Sequence, residues 1–165
     1  MARLDDFNDE PADRAAEALR ACNAAPRFAA DLVAGRPYPD ADTLVARAEE
    51  VARGLTWDEV SVALAAHPRI GDRPEGSSAE AEASRREQSS MSDADAATRD
   101  ALVEGNRVYE ERFGHVFLIR AAGRSPEEML AELRRRLGND AAAERAEATE
   151  QLAQITGLRV RGFVS

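Results

Sequence analysis

The sequence predicts an all-α fold, a single-domain helical bundle of about seven or eight helices. Alanine is abundant while aromatic residues make up only 5% of the chain, which suits helices packed through small and aliphatic side chains. Helix-capping signals recur from end to end, and no segment shows the convincing period-two alternation of a half-buried strand. A chain of 165 residues can build one well-formed core, so we expect residues 1–165 to form one domain.

The first third of the chain predicts three helices. The first begins after Pro11 and presents an apolar stripe at helical spacing, formed by Ala15, Leu19 and Cys22. The second ends at Ala34, because a glycine and a proline then break the chain. The third covers residues 42–53 and ends before Gly54.

Two capping boxes mark the starts of further helices. Thr56 and Glu59 have the T-x-x-E spacing, which predicts a helix running to about Ala66. Ser125 and Glu128 have the equivalent S-x-x-E spacing and open a helix that ends before Gly138-Asn139.

The final segment, from about Asp140 to Gly162, is predicted to be one long helix. Its inner side is expected to carry Leu152, Ile155 and Leu158.

Two stretches are not typical of helices. Residues 67–78 carry two prolines and two glycines, and residues 113–124 place an apolar run between two glycines. Within the second stretch, residues 116–119 are β-like but too few to make a sheet alone. Functional residues tend to lie on loops held by a rigid scaffold, so we expect a site in these stretches.

Charge and composition exclude several classes of function. A formal net charge of −9 disfavours nucleic acid, although a few arginines in a pocket can still bind a small anion. Cys22 is the only cysteine, so we expect a small buried hydrophobe and no cysteine-based metal site. No apolar run approaches the roughly 20 residues of a membrane span, and neither a secretory signal nor a peroxisomal address is visible. A cytoplasmic location is expected.

His67 is the first candidate for chemistry. Pro68 pushes the preceding residue out of helical geometry, so the helix from Thr56 should end near His67. An imidazole at a helix C-terminus is favoured in its protonated form, which suits it to donate a proton or to hold a carboxylate. A histidine that only caps the last carbonyl groups explains this position equally well.

A second group of candidates lies between Ser84 and Gln88. In a helix, Ser84, Glu87 and Gln88 share one face, whereas Arg85 and Arg86 point elsewhere. That face would offer a hydroxyl, a carboxylate and a carboxamide, which together could bind the alternating N–H and C=O groups of a ureide. A solvated helix face is the alternative interpretation.

Other constellations carry less information. Asn106 and Tyr109 also share a helix face, where a buried polar pair between helices would account for them as well. His115 is the only other histidine, and its distance from His67 gives no metal-binding spacing. No G-x-S-x-G motif and no phosphate-binding glycine loop occur, so hydrolytic, redox and nucleotide chemistries lack their usual motifs.

Taken in order, these motifs resemble a known family. The chain resembles the decarboxylase of 2-oxo-4-hydroxy-4-carboxy-5-ureidoimidazoline (OHCU). The motifs that carry this resemblance are HPRIG at 67–71, S-x-x-E-Q at 84–88 and N-x-x-Y-x-x-R-F-G at 106–114. The resemblance spans nearly the whole chain and implies the last step of urate oxidation, which gives (S)-allantoin. It also implies an all-α fold, a homodimer, and neither a metal nor an organic cofactor.

The resemblance also implies roles for individual residues. His67 matches the catalytic histidine of the family, and Glu87 matches its supporting carboxylate. An arginine late in the final helix belongs to the same pocket; Arg159 fits it best, and Arg161 is the alternative. The positions that match substrate contacts are Pro68, Ser84, Glu87, Gln88, Ile119, Arg120, Ala121, Ala122 and Gly123.

One departure from the family pattern is visible. Many members have Phe-Pro after the Phe-Gly pair, whereas this chain has His115-Val116. The change concerns the wall of the implied pocket and leaves the assignments of His67 and Glu87 unaltered. Two alternatives to OHCU decarboxylation are a decarboxylase of a related ureide and a non-enzymatic module that binds a ureide or a partner helix.

Overall fold

The computed structural model describes residues 3–70, 79–87 and 95–165, and all nine elements in these ranges are α-helices. The predicted all-α fold class is therefore confirmed, with slightly more helices than the seven or eight expected. The helices are α1 (Leu4–Asp9), α2 (Ala12–Leu19), α3 (Pro26–Ala34), α4 (Ala41–Arg53), α5 (Trp57–Ala65), α6 (Ala79–Glu87), α7 (Ala96–Phe113), α8 (Pro126–Arg136) and α9 (Ala141–Phe163).

The predicted helix starts rest on side-chain caps. Thr56 Oγ1 accepts a hydrogen bond from the Glu59 backbone N–H, and Glu59 Oε1 accepts one from the Thr56 N–H, so this capping box is reciprocal. The other predicted box is formed on one side, because Ser125 Oγ accepts from the N–H of Glu128. Asp40 and Asp95 cap α4 and α7 in the same way as Ser125 caps α8.

The contacts of the described residues separate the chain into two compact units. Unit 1 comprises residues 1–63 and 152–165, and in it α3 packs against both α2 and α4. Phe7 lies at the centre of an aromatic group, with its ring centroid 6.3 Å from that of Tyr38 and 6.0 Å from that of Phe163. A buried hydrogen bond from Asn23 Nδ2 to Thr156 Oγ1 joins the α2–α3 connection to α9.

Unit 2 comprises residues 64–151, and the packing of α7 against α8 is its main helix–helix contact. Its largest buried side chains on these two helices include Tyr109, Met129 and Leu133. The helix α7 ends at Gly114, whose φ of 79° is the left-handed geometry that glycine adopts without a Cβ penalty.

The long C-terminal helix agrees with its predicted range, but one of its predicted core residues is wrong. Leu152 and Ile155 are buried, whereas Leu158 is 45% exposed. At 100° per residue, Leu158 lies about 120° around the helix from Leu152, so the two side chains face different directions. Cys22 is buried, as expected, although α2 ends before it.

No helix within the described ranges is both long and apolar enough to span a membrane. The same ranges contain no group of three or more His, Cys, Asp and Glu side chains arranged to bind a metal ion.

Candidate active site

The segment that carries His67 follows α5 directly. The helix ends at Ala65, and the backbone N–H of His67 still donates to Leu64 O at 3.0 Å. His67 is 8% exposed, Pro68 is half-buried and Ile70 is 4% exposed. The imidazole thus lies in the interior at a helix C-terminus, where the sequence predicted it, and Gly71 lies outside the described residues.

Two side chains of α7 hold this segment in place. Asn106, 3% exposed, donates from Nδ2 to Ile70 O at 3.0 Å. Arg69 Nε donates to Glu110 Oε2 at 2.8 Å, and this pair is partly exposed. Asn106 Oδ1 is enclosed and has no hydrogen-bond partner among the described residues. Asn106, one of the polar residues singled out in the sequence, therefore connects α7 with the segment that carries His67.

The helix α6 carries the second group of candidates. Ser84 is 2% exposed and Glu87, the last residue of the helix, is half-buried, whereas Arg85 and Arg86 are exposed. This burial pattern agrees with a shared inward face for Ser84 and Glu87. Gln88 lies outside the described residues.

The third segment, residues 117–123, forms neither helix nor strand in the structure, and it is mostly buried up to Ala121, whereas Ala122 and Gly123 are exposed. Phe117, Leu118, Ile119 and Ala121 are each at most 4% exposed. The predicted β-like stretch is therefore a buried connection, and its polar backbone atoms need other partners.

Side chains supply some of those partners. Leu118 O accepts from Arg136 Nη1 at 2.7 Å, and the Arg120 N–H donates to Gln151 Oε1 at 2.8 Å. Arg124 Nε donates to Arg120 O at 2.9 Å. A turn at Gly123, with φ of 78°, then leads to the cap of α8, and this positive φ favours glycine there.

Arg120 adds an unusual donor to this segment. Its Nε is enclosed and has no hydrogen-bond partner within the described ranges. Buried guanidinium N–H groups normally have an acceptor, so a water molecule or a polar ligand would satisfy it.

A buried ionic network lies behind the segment. Glu144 is fully buried and Arg136 is 1% exposed; Arg136 Nε donates to Glu144 Oε1 at 2.8 Å. Tyr109 donates its hydroxyl to the same oxygen, and Asn139 Nδ2 donates to Oε2 at 3.0 Å. Burial and the neighbouring carboxylate of Glu144 raise the pKa of Tyr109 well above its usual value, so it remains a phenol.

The His67 segment and the 117–123 segment meet in one hydrophobic cluster. Ile70 comes from the first segment, and Ile119 and Ala121 come from the second. Tyr109 belongs to the same cluster, as do Phe117, Leu102, Met129 and Leu133. The structure therefore brings together two of the three predicted substrate segments, which are distant in the sequence.

The remaining candidates are placed separately. Ser84 and Glu87 belong to unit 2 with His67, and the contact between His67 and Glu87 stays a prediction. Arg159 belongs to unit 1, where it is 8% exposed and donates from Nη1 to Ala21 O at 3.1 Å. Arg161 has a half-exposed side chain that pairs with Asp42 at 2.9 Å. Burial thus distinguishes the two arginines that the sequence left as alternatives.

His115 and Val116, where the chain departs from the family pattern, lie beside the hydrophobic cluster that contains Tyr109. The His115 ring packs edge-on against Tyr109, with the centroids 5.4 Å apart, and its Nδ1 is 3.0 Å from Val116 O. The imidazole therefore takes the place of an aromatic packing partner at this position.

Sequence analysis missed Arg136, Glu144 and Gln151. A signal was present for two of them. Leu133 follows Met129 by four residues and Arg136 follows Leu133 by three, which places all three on the inner face of α8. Glu144 similarly precedes Ala148 and Leu152 at spacings of four on α9. A charge on an apolar helix face indicates a buried partner. Nothing in the sequence marks Gln151 in this way.

The chain was compared with known proteins. The family model described as OHCU decarboxylase matches residues 8–161. The chain is 34% identical over 144 residues to the 2-oxo-4-hydroxy-4-carboxy-5-ureidoimidazoline decarboxylase of Amia calva, covering 84% of this chain and 81% of that protein. It is 35% identical over 123 residues to the uric acid degradation bifunctional protein TTL of Arabidopsis thaliana, covering 69% of this chain. The match spans only 38% of that bifunctional protein.

The fold is also similar to those of solved structures. The fold is similar, with a TM-score of 0.74 and 26% identity, to an OHCU decarboxylase crystallised in the presence of (S)-allantoin, covering 88% of this chain and 95% of that one. It is also similar to an (S)-allantoin synthase, with a TM-score of 0.73 over 100% of this chain and 54% of that one. At 17% identity, the second likeness concerns the fold alone.

Proposed function

The chain belongs to the OHCU decarboxylase family, and on that basis we propose that it converts OHCU into (S)-allantoin and CO₂. Family membership confirms the predicted resemblance and the predicted enzyme class, a carboxy-lyase of urate degradation. The structural observation that carries the proposal is the meeting of the His67 segment and the 117–123 segment in one cluster.

The chemistry of this substrate fits the residues of the chain. When the bond to the carboxylate breaks, CO₂ leaves and its electron pair stays on the ring system, where the adjacent C=N can accept it. The ring nitrogen takes a proton, and the carbon that lost CO₂ becomes the hydroxyl-bearing carbon of an enol. The enol hydroxyl then gives up its proton to form a carbonyl group, while the neighbouring, ureido-bearing carbon receives a proton on one face. Because the substrate supplies its own electron sink, the reaction needs neither a metal nor an organic cofactor. The protein has to orient the substrate and deliver one proton to one face.

His67 is the proposed general acid or proton shuttle. Its burial keeps bulk water away, and its position at the C-terminus of α5 places the imidazole at the negative end of the helix dipole. Asn106 and the Arg69–Glu110 pair fix the segment that carries the imidazole, which keeps the proton donor in a defined position. Glu87 would orient the imidazole or accept a substrate N–H.

The remaining candidates would bind the substrate. Ser84 and Gln88 are proposed to hold the ureido arm, and Pro68 to line the pocket. Backbone groups of residues 119–123, which include Ala122, would hold the ring. The enclosed Nε of Arg120, which has no partner within the described ranges, and the buried Arg159 are suited to an anionic group.

A kinetic comparison tests the catalytic assignment. Decay of freshly generated OHCU is followed by circular dichroism for chiral allantoin, in the wild type and in His67→Ala. Loss of a general acid should slow the reaction roughly 10²–10⁴-fold. Glu87→Gln should also slow it while the helical spectrum is unchanged, and Arg85→Gln, on the exposed face of α6, is the matched control. Wild-type rates in His67→Ala would remove His67 from the mechanism.

Four further expectations, on domain organisation, oligomeric state, location and partners, belong to the same proposal. We propose that the chain forms one domain of this family, supported by the match over residues 8–161. We also propose a homodimer in the cytoplasm that binds the small ureide and neither nucleic acid nor membrane. Light scattering coupled to size-exclusion chromatography measures the oligomeric state, and a monomer at micromolar concentration would contradict the dimer.

A further inference from the structure

The segment around Leu118 is buried but has no strand beside it within the described ranges. Buried backbone groups that lack a hydrogen bond are costly, so such a segment keeps its shape only if side chains bind it. Three side chains from outside the segment do so. Arg124, which follows the segment directly, binds the carbonyl of Arg120. The other two come from helices: Arg136 binds the carbonyl of Leu118, and Gln151 binds the N–H of Arg120.

Arg136 is itself fixed on every side. Its Nε and Nη2 donate to Glu144, while Nη1 donates to Leu118 O. One face of the guanidinium lies over the Phe117 ring, 4.5 Å from the centroid. The carboxylate of Glu144 is held in turn by Tyr109 and by the side-chain amide at 139. The guanidinium therefore cannot shift without breaking several buried hydrogen bonds.

We propose that Arg136, Glu144 and Gln151, the segment clamp, are positioning residues for substrate binding. They hold the backbone of residues 118–120 in the shape that presents residues 119–123 to the substrate. The inference rests on the proposed function, which assigns this segment to the ring of OHCU. None of the three residues touches the reacting atoms; they act through the backbone that they fix.

The chemistry of the clamp indicates which substitutions are informative. A lysine at 136 keeps the positive charge but lacks the planar fork, so it cannot serve both Glu144 and Leu118 O. A leucine at 151 removes the acceptor for the Arg120 N–H without leaving a buried charge unpaired. Arg135, next to the clamp on α8, forms only partly exposed pairs with Glu132 and Glu147 and supplies the control.

The experiment measures KM and kcat of the full chain with freshly generated OHCU in Arg136→Lys, Gln151→Leu and Arg135→Lys. Weakening one or two of the hydrogen bonds that hold the substrate should raise KM roughly 10–100-fold in the two clamp variants. The kcat per folded molecule should stay close to that of the wild type, because the backbone groups bind ground state and transition state alike. Arg135→Lys should behave as the wild type.

Two results would overturn the inference. If the clamp variants lose activity only in proportion to their folded fraction, with KM unchanged, the network is structural alone. If Arg136→Lys does not fold, Gln151→Leu decides, and an unchanged KM in that variant refutes the clamp. A wild-type chain that does not make (S)-allantoin would instead refute the proposed function, which separates the two failures.

Discussion

Neutralising Glu144 should be among the most damaging single changes to unit 2. The carboxylate is fully buried and accepts hydrogen bonds from Arg136, Tyr109 and Asn139. In Glu144→Gln the side chain keeps its size but loses its charge. The guanidinium of Arg136, 1% exposed, is then left in the core without a counter-ion.

The expected magnitude follows from that uncompensated charge. Removing one partner of a buried ion pair costs about 3–5 kcal/mol of the free energy of unfolding. For a chain of this size, each kcal/mol lowers the melting temperature by about 2–4 °C, so Tm should fall by roughly 6–20 °C. The matched control is Glu147→Gln, because Glu147 pairs with Arg135 on the same two helices but is one-third exposed. That change should cost at most about 1 kcal/mol.

The assay is thermal and urea unfolding followed by helical circular dichroism at 222 nm. Both variants and the wild type are measured in the same buffer. A Glu144→Gln variant as stable as Glu147→Gln would refute the view that a buried ionic network holds the 117–123 segment.

Two further predictions concern the regions that flank the His67 segment. The hydrogen bonds from Arg27, together with that from the Thr56 N–H, lower the pKa of Glu59 to about 2. The contribution of the Glu59 carboxylate to stability is therefore complete above about pH 4.5 and is lost as the pH falls towards 2. The Tm difference between the wild type and Glu59→Gln should shrink over that interval, and a constant difference would contradict this prediction. Asn106→Leu removes the donor to Ile70 O and should cost about 1–3 kcal/mol in urea unfolding; an unchanged midpoint would show that this bond contributes nothing.

Local sequence signals predicted the helices well because each signal acts through a few neighbouring residues. The capping boxes at Thr56 and Ser125 position the starts of α5 and α8 as expected. Pro68 ends α5 just before His67, as expected. The prediction that Leu158 is buried was wrong. An apolar residue of a helix is buried only if its angular position around the helix axis lies on the packed face.

The site was predictable only in part, because its supports are distant in the sequence. The motifs and the family resemblance indicated the His67 segment and residues 119–123, and the structure brings Ile70 of the first and Ile119 and Ala121 of the second to one cluster. The spacing of Arg136 from Met129 and Leu133 marks it as the inward arginine of α8, but the sequence does not show that it binds Leu118 O. Nothing in the sequence marks Gln151, whose contact with the Arg120 N–H depends on tertiary packing.

The chirality of the product tests the central proposal most directly. The purified chain is mixed with freshly generated OHCU, and the circular dichroism of allantoin is followed against the protein-free decay. We expect the signal of (S)-allantoin to appear faster than spontaneous loss of the substrate, since one face receives the proton. Racemic allantoin formed at the spontaneous rate would contradict the proposal.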